Sequence, residues 1–182
     1  MAFINLILVN LLFVFATRTS FYEEIPSDNY NINFKIKNSG TLVSGNFKGL
    51  HLKYAFDKNK LGESFFEGEL EVISIKTGIE MRDRHLNKSE YFDVTKFPKI
   101  TLRTTKIELV ANDDYKITCD LTIKGITQSL VIFSKINYSG SWLTVNSVFD
   151  LNRLNFGVGR PSIVMAKNVL VSIEVRLKKN DK

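Results

Sequence analysis

Along most of the chain, polar and apolar residues alternate one by one, the period of a strand with one covered face and one wet face. The stretch YNINFKIK sets Tyr30, Ile32, Phe34 and Ile36 on one side. LHLKYAFD repeats it with Leu50, Leu52, Tyr54 and Phe56 opposite His51, Lys53 and Asp57, which makes His51 a solvent-facing strand residue rather than a ligand. The pattern returns in YKITCDLTIKG and in VLVSIEVRLKK, where Val169, Val171, Ile173, Val175 and Leu177 oppose Ser172, Glu174, Arg176 and Lys178. Segments 99–110, 126–138 and 141–154 lie between these, separated by turn signals at Asn112-Asp113-Asp114, Lys124-Gly125 and Ser139-Gly140. In GELEVISIK the apolar parity shifts from Leu70 and Val72 to Ile73 and Ile75, as a bulge or a strand covered on both faces would require. The count is eight antiparallel strands at hairpin spacing, an all-β set that closes as a barrel or packs as a sandwich.

The exception is RDRHLNKSEYFDVTKFP, residues 82–98. Thr77 with Glu80 has the spacing of a capping box, and Asn87 with Glu90 repeats it, flanked by Leu86 and Tyr91 at staple positions. Two short helices in tandem are expected, the second ending by Phe97 because the residue before Pro98 is pushed out of the helical region. Leu86, Phe92, Val94 and Phe97 would face inward from a lid or plug across one end of the sheet.

Length and composition narrow the class. The 182 residues suit one domain; 44% are hydrophobic and 24% charged, the profile of a globular protein, and 14 phenylalanines point to an interior with much to line or fill. Residues 1–20 differ in kind. An apolar run from Leu6 to Ala16, interrupted only by Asn10, reads as a secretory signal peptide cleaved after Ala16, with the mature domain at 21–182 and a periplasmic or secreted location. A permanent membrane span needs about 20 apolar residues, more than this run supplies. A transmembrane barrel would carry apolar residues outward; Phe34, Phe56, Leu121 and Phe149 suit a filled interior instead. The formal charge of +6 comes from dispersed lysines, a solvated face rather than a nucleic-acid surface, compatible with transient contact with anionic head groups. Free barrel edges also leave room for a homodimer. Cys119 stands alone among apolar residues of its own parity, a small core residue without a disulfide partner.

Catalytic constellations are sparse. The chain has two histidines and one cysteine, no His-x-x-x-His, no cysteine pair and no Gly-x-Ser-x-Gly elbow, so no metal or cofactor site is expected. Asp83 could orient His85 as a general base, but no nucleophile is evident beyond Ser89, which leaves an isomerase or hydrolase the weaker reading. Gly157-Val158-Gly159 follows no βα unit and lacks a third glycine; a tight turn explains it better than a phosphate loop.

The segment RDRHLNKSEYFDVTKFPKITLRT, with SGTLVSGNFKGLHLKYAFD, LTIKGITQSLVI and LNRLNFGVG in that family's order, resembles the YceI-like proteins over about residues 30–176. The resemblance implies an eight-stranded lipocalin-like barrel with a short helical insertion, a non-enzymatic carrier of an isoprenoid lipid, isoprenoid quinone or other long amphiphile. It points to Phe56, Phe92, Phe97, Leu102 and Phe149 as lining, with plain core filling the alternative for each. Arg82, Asp83 and His85 are the polar group that meets the ligand head or, for Arg82, clamps the insertion. A solid barrel acting through its surface is the remaining alternative. Tyr91 stands where that pattern has Phe.

Overall fold

The structure is a computed structural model that describes residues 22–179, so the expected leader at 1–20 and its cleavage after Ala16 lie outside the described residues. Ten antiparallel strands form one curled sheet: β1 (Glu23–Glu24), β2 (Tyr30–Asn38), β3 (Thr41–Phe47), β4 (Leu50–Ala55), β5 (Phe65–Glu71), β6 (Lys99–Ala111), β7 (Asp114–Ile123), β8 (Ile126–Ser139), β9 (Trp142–Asn152) and β10 (Met165–Lys178). From β4 to β10 neighbours in sequence are neighbours in the sheet; β2 then pairs with β10 and β3 with β2, giving the order β1-β4-β5-β6-β7-β8-β9-β10-β2-β3. The two strands beyond the expected eight are β1 and β3. Neither announces itself by alternation: β1 is two glutamates long, and β3 turns Leu42 outward and has Gly45 in its middle.

Turn chemistry sets the register where the sequence indicates it. Ser39-Gly40 and Lys124-Gly125 both take positive φ, the signature of a two-residue type I′ hairpin whose twist matches the strands, and they pair Asn38 with Thr41 and Ile123 with Ile126. The parity shift after Leu70 is neither a bulge nor a two-sided strand. β5 ends at Glu71, and one 3₁₀ turn over Val72–Ser74 advances the chain so that Val72 and Ile75, three apart, both point inward and are almost fully buried.

The sheet does not close through a ladder of its own. β3 and β1 are its edges, and beyond β1 Ile25 N–H carries the pairing with β4 on to the Leu50 carbonyl at 2.9 Å. The seam is covered by segment 72–98. Asn46 and Lys76 exchange backbone hydrogen bonds of 2.8 and 2.9 Å, Ser74 Oγ donates to the Lys48 carbonyl at 2.7 Å, and Val72 N–H donates to Pro98 O at 2.9 Å. Gly45 makes this approach possible: a Cβ there would stand 2.3 Å from the Phe34 ring and 2.8 Å from the Lys76 carbonyl.

The insertion contains one α-helix, α1 (Glu80–Leu86), not two. Thr77 is not its N-cap; Ile79 is, without a side-chain cap bond, and Thr77 bonds forward to Asp83 instead. Asn87 closes α1 as its C-cap, and 88–97 runs on in turns that include Asp93 at φ 52.

A second anchor was hidden in LNRLNFGVG. Arg153 is 4% exposed, and its guanidinium is held by carbonyls: it donates to those of Ala166 (2.9 Å), Val158 (2.7 Å) and Arg160 (2.9 Å). Burial lowers its pKa from the ordinary arginine value. Gly157 and Gly159 are turn glycines, as the sequence suggests, and a Cβ at Gly159 would lie 2.8 Å from Arg153 Nη1 and 3.0 Å from the Tyr91 ring.

Arg153→Met should leave three carbonyls unpaired and destabilise the protein by roughly 3 kcal/mol, read as a lower denaturation midpoint at unchanged slope. Cys119 is wholly buried, and desolvation, with Asp120 nearby, pushes its thiol up to about 11. The folded protein should therefore resist alkylation at mildly alkaline pH and label at once in denaturant; rapid labelling of the native state would show the wall around it to be open.

Candidate functional site

The inward faces of β2–β10 do not meet. They enclose an elongated cavity of about 300 Å³, at the lower end of the range of small-molecule sites, with an almost entirely apolar wall. One cause is visible strand by strand: Gly68, Thr104, Cys119, Ser134 and Ser147 put short side chains on the wall where a filled small barrel would use Leu or Phe. The wall follows β10 from Val169 to Leu177, a run of roughly 26 Å at about 3.3 Å per residue. The space suits a long, narrow occupant.

Burial along the strands shows which end is sealed. On β2, Tyr30 is buried while Ile32, Phe34, Ile36 and Asn38, on the same inner face, are half-exposed. On β10, Val175 and Leu177 are buried and Val169, Val171 and Ile173 are not; on β9 the change falls between Ser147 and Phe149. Inner-face residues become accessible toward the Ser39-Gly40 hairpin, so the cavity opens there, beside α1 and the 160–165 loop. At the opposite end Phe56 stacks on Phe66 (5.9 Å between centroids), meets Tyr115 edge-on (5.4 Å) and lies tilted against Tyr138 (6.2 Å), whose hydroxyl donates to the Phe56 carbonyl at 2.8 Å. That aromatic cluster is a floor.

The residues singled out by sequence divide evenly. Arg82, Phe92, Leu102 and Phe149 line the cavity. Phe56 belongs to the floor cluster rather than the wall, and Phe97 lies against the Lys124-Gly125 turn, with its ring where a Gly125 side chain would be. Asp83 sits behind the wall: its Oδ1 accepts from Thr77 N–H (2.9 Å) and Thr77 Oγ1 (2.5 Å). His85 is edge-on to Tyr91 at 5.0 Å, which puts it and Asp83 on different partners and leaves no Asp–His dyad for base chemistry. Arg82 donates to Thr77 twice, Nε to Oγ1 and Nη2 to the carbonyl, both at 2.8 Å. Thr77, Arg82 and Asp83 thus form a compact knot that pins α1 to the strand-like segment crossing the seam, with one side of the guanidinium on the cavity wall.

Residues missed in the sequence are the small ones. Ser134 and Ser147 look like ordinary polar strand positions until parity is counted against Ile132, Ile136 and Val145, which share their inward face. Phe156 and Val158, buried in the 153–159 turn, form with Leu121 and Ile123 a second apolar cluster that packs against Tyr91 and Phe92 of the insertion and belongs to the cavity wall. Among the described residues, no group of three or more His, Cys, Asp or Glu comes together as a metal site.

Comparison with known proteins agrees with this architecture. The model of the YceI-like domain matches residues 24–178. A UPF0312 protein of Pseudomonas syringae pv. syringae is 29% identical over 137 residues, covering 71% of each chain. In structure, BcnA of Burkholderia cenocepacia superposes with a TM-score of 0.81 at 20% identity, over 85% of this chain and all of that one. A polyisoprenoid binding domain from Saccharophagus degradans, implicated in plant cell wall breakdown, does so with a TM-score of 0.66 at 12% identity, over 82% and 94%. With a family match that runs from β1 to the end of β10, and an open-mouthed apolar cavity inside the matched residues, the chain belongs to the YceI-like domain family.

Proposed function

We propose that this protein binds and carries a long hydrophobic molecule, an isoprenoid lipid or isoprenoid quinone, outside the cytoplasm, without covalent chemistry. The observation that bears the most weight is the shape of the interior: a narrow apolar cavity, sealed at an aromatic floor and open at one rim. Each CH₂ withdrawn from water is worth about 0.8 kcal/mol, so such a wall favours a long chain over a compact solute. The Saccharophagus neighbour, named for polyisoprenoid binding, supports this class of cargo. The apolar run at residues 6–16 supports export.

The rim supports a role for membranes in loading. Leu42, Ile79, Met81, Ile163 and Val164 are all exposed, and they come from three segments that the fold brings to the open end. Ser39 N–H donates to Val164 O at 2.8 Å, joining the first hairpin to the 160–165 loop, and the Asn46–Lys76 bridge brings the start of α1 alongside β3. Around these residues, 35–44 contributes Lys35 and Lys37 and 160–168 contributes Arg160 and Lys167, with no Asp or Glu in either segment, while Glu80, between Ile79 and Met81, is paired with Arg84. An apolar rim set in positive charge is complementary to an anionic bilayer surface and would let cargo pass without crossing water.

Extraction of the natively purified protein with organic solvent, followed by mass spectrometry, should yield a prenyl lipid or quinone near one per chain. An empty extract from folded protein would move the function to the outer wall, where Phe133 and Val148, next to the Ser134–Ser147 pairing, and Val131 are exposed. Phe92→Ala and Phe149→Ala should lower lipid occupancy several-fold yet cost only about 1–2 kcal/mol of stability, below the ~3–5 of a fully buried phenylalanine, because both face open space. Met81→Asp with Ile163→Asp should abolish co-sedimentation with phosphatidylglycerol vesicles, and salt should weaken the wild-type interaction; equal binding to neutral phosphatidylcholine vesicles would remove the electrostatic part.

A further inference from the structure

Halfway along the apolar wall stand two hydroxyls. Ser134 Oγ on β8 and Ser147 Oγ on β9 face each other across the ladder at 2.6 Å, are 4% and 8% exposed, and both line the cavity. Apolar residues flank them on the inner face: Ile132 and Ile136 along β8, Val145 and Phe149 along β9. They stand at the point where β9 passes from the buried closed end to the half-exposed open end.

The pair is not self-sufficient. Two serines bring two O–H donors, and one bond between them uses only one. Among the described residues neither hydroxyl has a further hydrogen-bond partner, so the second O–H has no protein acceptor. A buried donor left unpaired in an apolar setting carries a desolvation penalty. Two alanines would have filled the same wall without that penalty. Cavity-facing donors in dry surroundings are the arrangement by which an otherwise greasy pocket recognises an oxygen atom, because an occupant lacking one leaves the donor stranded.

We propose that the Ser134–Ser147 pair is a polar subsite that selects a cargo bearing a hydrogen-bond acceptor, a carbonyl or ether oxygen, on the portion that reaches the inner half of the cavity. This rests on the carrier reading and sharpens it: a ketone or quinone oxygen is accepted, and a pure hydrocarbon of the same shape is disfavoured. The donors lie on β8 and β9, at the boundary of the sealed half, and share no hydrogen-bond partner with Arg82 or Thr77, so this recognition is separate from any contact made by those residues.

Pristane and phytone are branched chains of matching shape in which a methyl in one replaces the ketone oxygen in the other. Their transfer from cyclodextrin to the delipidated full-length protein measures the subsite directly. Wild type should bind phytone about fivefold more tightly than pristane, the ~1 kcal/mol of one net hydrogen bond. Ser134→Ala with Ser147→Ala, which removes both hydroxyls and strands neither, should erase that preference and bind pristane at least as well as wild type does. Equal affinities in wild type, or a preference that survives in the double variant, overturns the subsite while leaving the carrier reading intact. Binding of neither chain by folded wild type overturns both. The wild-type comparison alone decides the matter should the double variant not fold.

Discussion

A ten-stranded sheet that curls on itself without a closing ladder has two raw edges, and the rest of this structure is arranged around that seam. Unpaired N–H and C=O groups along an edge invite pairing with other chains and must be met or covered. Here they are met by a stretch that is hardly a strand at all. Lys76 supplies both bonds to Asn46, Ser74 reaches Lys48, and the Thr77–Arg82–Asp83 knot holds the following helix in place. Gly45 and Phe34 form a matched pair at the crossing, the glycine leaving the space that the ring and the Lys76 carbonyl occupy. Because the seam is covered by an insertion rather than zipped by a ladder, the interior retains an opening at one end.

The interior answers the same constraint in the other direction. A barrel of this size can be packed solid, and its floor is: Phe56, Phe66, Tyr115 and Tyr138 fill the space between strands with ring contacts. Above the floor the wall turns to short side chains, from Gly68 on β5 to Ser147 on β9, and the strands stay apart. Stability must then come from the ladders, the floor and anchors built into the wall itself, among them Arg153 gathering three carbonyls of the β9–β10 connection and the Phe156–Val158 cluster beneath the insertion.

Much of this was legible in sequence, and the limits fall where physics predicts. Alternation located most of the long strands because each has one wet face, and the tight turn at Lys124-Gly125 was correctly placed because glycine at the second position suits the primed turn that matches strand twist. β3 escaped because its centre is Gly45 and its Leu42 faces out. The second expected helix failed because Asn87 and Glu90 have the spacing of a cap whichever way the chain runs, and here Asn87 ends a helix instead of starting one. Of the site residues, Phe92, Leu102 and Phe149 could be placed on the wall from parity or family pattern, whereas Phe56 and Phe97 have the same local pattern but meet neighbours far along the chain, Tyr138 and Gly125.

The sequence by itself determined the class of fold, the inward and outward sides of its long strands, and the presence of an irregular, aromatic insertion, because those are set by local periodicity and backbone chemistry. It also held the family pattern. Only the tertiary structure decided that the insertion bridges the seam through Asn46 and Lys76, that the aromatic floor lies at one end and the mouth at the other, and that Ser134 and Ser147 share one hydrogen bond inside an apolar wall. Those features depend on which strands become neighbours after the sheet curls. Distance in space between residues far apart along the chain is not written in the period of either one.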